Sequence, residues 1–130
     1  MPCTLTVDHA RRRATGVAVD PLSVEDVVGM ITAQADAGAW TYPLLHDGRA
    51  TSRLLTSEEV RRIIYTIESI SARLQQRRGP VAMVKAEDGP YGMARMYSLL
   101  VADISLVEVF KDIEAAKVWL ASQSASAGSA

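Results

Sequence analysis

With 130 residues and a mass of 14.0 kDa, the chain has the size of one domain, which runs to about 100–200 residues. Hydrophobic residues make up 48% and charged residues 22%, a globular composition that excludes disorder of the chain as a whole. The 14 basic and 15 acidic side chains leave a net charge of -1, so no overall field draws a nucleic-acid backbone or an anionic membrane, and the single cysteine, Cys3, excludes an internal disulfide.

The opening Met1-Pro2-Cys3-Thr4 lacks the basic start and apolar segment of a secretion signal, and no apolar run approaches the roughly 20 residues that span a bilayer. A cytoplasmic location and no membrane span are therefore expected. Thr4 to Asp8 alternates polar and apolar residues, and Ala14 to Val19 is again rich in β-formers, so the two predict a hairpin with Arg11, Arg12 and Arg13 at its tip. In a neutral chain such a run reads as a solvated turn.

Asp20-Pro21-Leu22-Ser23 ends the second strand and offers Ser23 as a helix N-cap, with Asp26 in the place of a capping-box acid. Val24, Val27, Val28, Ile31 and Ala35 follow at helical spacing, and Gly38 marks the stop. Pro43 to Asp47, ended by Asp47-Gly48, predicts a strand covered on both faces. Thr56 and Glu59 then match a capping box, and Val60, Ile63, Ile64, Ile67, Ile70 and Leu74 form the stripe of a helix. Arg73, Arg77 and Arg78 read as cations favoured by its macrodipole, and Gly79-Pro80 as its stop.

Val81 to Val84 predicts a buried strand. After it comes a helix with Asp88 as N-cap, Pro90 in the first turn, and an inward stripe of Met93, Met96, Tyr97, Leu100 and Val101. Ser105 to Phe110 predicts the last strand, and Asp112 caps a last helix whose Ile113, Ala116, Trp119 and Leu120 point one way. Residues 1–121 thus form a single domain, and the Ser/Ala/Gly stretch 122–130 predicts a disordered tail. The order β-β-α-β-α-β-α-β-α implies an α/β fold with a mixed, mostly parallel sheet of four to five strands.

Chemistry is sparse. His9 and His46 each stand beside an aspartate, but the spacing gives no third ligand, so no metal site is expected. His9 reads as a surface-turn residue and His46 as a hydrogen-bonded one. His46 and Asp47 are adjacent on a strand and point to opposite faces, which defeats a Ser-His-Asp relay with Ser52 or Ser57. Phosphate-binding glycine motifs are absent, and Glu87 and Asp88 place negative charge where a phosphate would sit, so no cofactor is expected. The segments leaving the third and fourth strands should lie side by side. They bring His46, Asp47, Ser52, Ser57, Glu58 and Tyr91 to one sheet edge, with Arg95 one turn further on, as the candidate binding residues.

With PVAMVKAEDGPYGMARMYSLL and VEVFKDIEAAKVWL in this order of elements, the chain resembles small bacterial members of the SpoIIAA-like, or STAS-like, family over about residues 3–121. The resemblance implies a βα superhelical sheet, no enzymatic activity and no catalytic residue. The expectation is a non-enzymatic interaction domain for an unidentified regulatory protein, as for anti-sigma factor antagonists, with a binder of a small apolar or lipid-like ligand as the alternative. A homodimer is compatible with either. Those antagonists carry an Asp-Ser-Ser-Gly motif with a phosphorylated serine at a helix start. The matching stretch here is Thr56-Ser57-Glu58-Glu59, with Glu58 on the acceptor position, so the interaction reading comes without the phosphorylation switch.

Overall fold

A computed structural model describes residues 3–129. Its elements are β1 (Cys3–Asp8), β2 (Arg13–Val19), α1 (Val24–Asp36), β3 (Leu44–Ala50), α2 (Ser57–Leu74), β4 (Val81–Val84), α3 (Asp88–Leu100), β5 (Val107–Phe110) and α4 (Ile113–Ser129). The five strands form one sheet in chain order, with β1 and β2 antiparallel and every later pair parallel. The architecture is α/β with a mixed, mostly parallel sheet. No helix among the described residues is long and apolar enough to cross a membrane.

Local chemistry sets the boundaries of α1 and α2. Ser23 and Asp26 at the start of α1, and Thr56 and Glu59 at the start of α2, form reciprocal capping boxes. Gly38 follows α1 at a φ of 72°, the left-handed conformation that glycine adopts without strain. The α2 stripe is buried as its spacing predicts, through Val60, Ile63, Ile67 and Ile70.

Strand alternation divides the sheet into two faces. Ala14, Leu44 and Val81 look toward the crossover helices and pack with Ala94 and Val101. Trp40 joins α1 and α2 in a second cluster with Ile31, Ile63 and Ile67. On the opposite face Leu45, Ala82 and Val84 meet Ala116 of α4, flanked by Ile113, Trp119 and Leu120. The central strand β3 is therefore covered on both sides, while Val17 and Val19 of β2 stay exposed beyond the reach of α4.

Three expectations are corrected. Helix α2 ends at Leu74, where Gln75 turns left-handed at a φ of 53°, so Arg77 and Arg78 lie outside its last turn and Gly79-Pro80 is not its stop. The face of α3 is Pro90, Ala94, Tyr97 and Val101, whereas Met96 and Leu100 are each 60% exposed. Ala94, 4% exposed, packs with Leu44 and Val81 of the sheet, and on a helix surface Met96 and Leu100 then lie away from that face. The N-cap of α3 is Glu87, without a side-chain cap bond, and the Asp88 carboxylate pairs with Lys111 instead. Helix α4 runs as far as Ser129.

Candidate functional site

Between the sheet and α1, α2 and α3 lies a cavity of about 80 Å³. Its walls are aliphatic: Val27, Met30 and Ile31 from α1, Leu44 from β3, Val60 and Ile63 from α2, Val81 and Met83 from β4, and Met93 and Ala94 from α3. Among the described residues, four basic side chains, His46, Arg53, Arg78 and Lys85, also reach it, and no aspartate or glutamate does.

Alternation explains why His46 is there. It shares a face of β3 with Leu44 and pairs in register with Met83 of β4. Burial, reinforced by the charges of Lys85 and Arg78, pushes its pKa down to about 3, so the imidazole is neutral. The expected hydrogen bond to its ring is not found among the described residues; desolvation and nearby charge govern its ionisation instead.

Lys85 follows β4 and lies on the same side as Met83. Its ammonium donates to Thr51 Oγ1 at 3.1 Å, and that hydroxyl donates in turn to Gly48 O at 2.8 Å. Gly48 makes room for it, since a Cβ there would stand 2.5 Å from Lys85 Nζ. Burial pushes the Lys85 pKa down, against a weaker pull upward from Cys3, Asp20 and Asp47.

Arg78 enters from the other end of β4. Its Nε and Nη2 both donate to Gln34 Oε1, at 3.1 and 2.9 Å, and its guanidinium lies 5.3 Å from the centre of the Trp40 ring. Gln34 is fixed in turn, because its Nε2 donates to Ala39 O at 3.0 Å. Burial disfavours the Arg78 charge, partly offset by the Tyr97 phenol beside it, yet a guanidinium does not give up its proton in a protein. Arg53 stands at the rim, where Nη2 donates to Glu59 Oε2 at 2.7 Å while Glu59 Oε1 accepts from the Thr56 backbone N–H. One carboxylate thus caps α2 and holds a rim residue.

The two segments expected side by side do meet. A Cβ on Gly89 would stand 3.8 Å from Leu54 Cδ2, and Arg53, Leu55 and Pro90 all line the cavity. The candidate residues on them scatter, however. His46 faces the cavity, whereas Asp47 faces the α4 side, where Arg49 donates to both its oxygens and holds its pKa below the usual range. Ser52 is exposed and donates through its hydroxyl and backbone N–H to Asp20. Ser57 and Glu58 are exposed on the first turn of α2. Tyr91 packs against the core with Lys111 over its ring at 5.2 Å. Arg95 lies in a separate hollow of about 230 Å³ beside Ser98, Leu99 and Glu108.

Sequence reasoning missed Gln34, Arg78 and Lys85. Two signals were present. Gln34 falls three residues after Ile31 on the buried stripe of α1, and Lys85 breaks an otherwise apolar run directly after Val84. Among the described residues, no group of three or more His, Cys, Asp or Glu is arranged to hold a metal ion. Comparison with family models, with curated proteins and with solved structures finds no match, so what the site does must be read from its own geometry.

Proposed function

We propose that the protein is a non-enzymatic binding domain for a small, largely apolar ligand lodged between the sheet and α1, α2 and α3. The observation that carries this is the cavity itself: about 80 Å³, with aliphatic walls and a few convergent polar groups. That space is several times the roughly 10–15 Å³ that one water needs. The strand order, sequential with all three crossover helices on one face, supports a SpoIIAA-like assignment, in which an apolar-ligand function is one of two expected classes.

The second reading is a regulatory protein-interaction domain resembling anti-sigma factor antagonists. Exposure of Ser57 and Glu58 at the start of α2 favours it. Both residues belong to a capped first turn, however, and Glu58 beside a helix N-terminus is accounted for by the macrodipole.

Titration of 1-hexanol into ¹⁵N-labelled protein tests the first reading. Amide shifts should concentrate at Ile31, Leu44, Ile63 and Ala94. Shifts confined to the protein surface, or none at saturating alcohol, would remove the cavity as the binding site.

A further inference from the structure

We infer that the natural ligand of this cavity is an anion, an apolar carboxylate whose head is held by Arg78; the inference rests on reading the cavity as a ligand site. Ionic pairing is distributed unevenly in this molecule. Among the described residues, six ion pairs use Arg11, Arg49, Arg53, Arg62, Lys111 and Lys117. The two buried cations take part in none of them. Arg78 is 5% exposed, and its partners among the described residues are neutral, the Gln34 carboxamide oxygen and the neighbouring Tyr97 phenol; Lys85 is 8% exposed and donates to a hydroxyl. Both line the same cavity, one at each end of β4, and among the described residues no carboxylate lines it with them.

Burying a charge is unfavourable unless a counter-charge or a full set of hydrogen bonds compensates it. Fifteen acidic residues are available in the chain, so the lack of one here is a matter of placement and not of composition. An anionic ligand supplies what the fold omits. The requirement is stricter at Arg78 than at Lys85, because a desolvated ammonium can shed its proton whereas a guanidinium stays charged. Arg78 therefore stays charged whether or not a ligand is bound.

The same residue selects the chemical class of the head. A guanidinium presents five N–H donors in a planar fork, of which Gln34 Oε1 engages two, and the fork matches a carboxylate bidentately. The surroundings hold that fork still. Gln34 is locked on Ala39 O, Trp40 covers one face of the guanidinium, and the neighbouring Gly79 is pressed against the backbone of Thr41 and Tyr42. With a preorganised fork and aliphatic walls, the site favours a small planar anion on an apolar body over a heavily hydrated phosphate.

The test compares hexanoate with 1-hexanol by calorimetric titration at low salt. Hexanoate should bind the wild type about tenfold more tightly or better, since charge-assisted hydrogen bonds are roughly twice as strong as neutral ones. Lys85→Met should keep most of that preference, and Arg78→Met should abolish it. Equal affinities in the wild type would overturn the carboxylate inference and leave the apolar-ligand reading standing; binding of neither probe would overturn the reading itself. Should Arg78→Met fail to fold, the wild-type Arg78 Nε–H resonance decides. It should move with hexanoate and stay in place with hexanol, and an unmoved resonance in hexanoate rejects the placement.

Discussion

Gln34 Oε1 accepts both Nε and Nη2 of Arg78, so a neutral amide holds a buried guanidinium in the position where a carboxylate would normally neutralise it. The pair joins α1 to the segment entering β4 and sets the charge of the cavity wall. Replacing the amide should therefore affect stability and binding in separable ways. Gln34→Leu removes the acceptor and should cost about 2–4 kcal/mol in urea unfolding, because the charge is left without its partner. Gln34→Glu supplies the missing charge and should bring the affinity for hexanoate down toward that for hexanol. Unchanged stability in the first variant would mean that Arg78 finds other partners.

Ile67 is fully buried in the cluster of Trp40, Ile31 and Ile63, whereas Arg77 is exposed and donates one long bond to Ala102 O at 3.3 Å. Ile67→Ala should lower stability by about 2–5 kcal/mol, and Arg77→Ala by less than about 0.5 kcal/mol. Urea midpoints in the reverse order would refute the assigned face of α2.

Two glycines should respond oppositely to alanine. At Gly79 a Cβ would overlap the carbonyl groups of Thr41 and Tyr42, and backbone must shift to admit it. Gly79→Ala should cost about 1–3 kcal/mol, as overpacking does. Gly29, exposed within α1, has nothing near a built Cβ, and Gly29→Ala should stabilise by up to about 1 kcal/mol through helix propensity. Thermal melts of the two variants should move in opposite directions.

His46 gives the protein an acid-sensitive window. Its ordinary pKa of 6.5 falls to about 3 in the fold, so below pH 6.5 the unfolded chain binds a proton that the folded one refuses. Stability should fall as pH drops from 6.5, by up to about 1.4 kcal/mol per pH unit. The carboxylates of Asp26 and Glu59, held down by the backbone N–H of Ser23 and Thr56, lose their stabilising effect only at lower pH, after their unfolded values of 3.8 and 4.5 are passed. The interval between pH 6.5 and 4.5 thus isolates the histidine. Urea midpoints across it should slope in the wild type and flatten in His46→Leu; equal slopes would show that the ring is charged in the fold.

What the sequence reveals is what neighbouring residues decide. The capping boxes at Ser23 and Thr56, the isoleucine stripe of α2, the hairpin and the single face of α4 all depend on residues within a turn or two of each other. The α3 face misleads because hydrophobicity selects Met96 and Leu100, while the residue that packs on the sheet is a small one, Ala94. Arg78 misleads for a different reason. A left-handed Gln75 ends α2 early, and the partner that draws Arg78 inward lies 44 positions away. Strand alternation separates His46 from Asp47, but only the packing of three helices shows that the His46 side is the one enclosing a cavity.

Because the strands lie in the sheet in the order in which they occur in the chain, each strand after β1 leaves the ribosome with its neighbour already synthesised. No strand has to wait for a later segment to fill a gap between it and the strand before it. Assembly by accretion follows, with β5 the last edge to be laid down and α4 sealing the far face afterwards. Protease resistance measured on stalled nascent chains of increasing length should then rise in steps, one for each βα unit; a single jump at full length would mean that the units do not form singly.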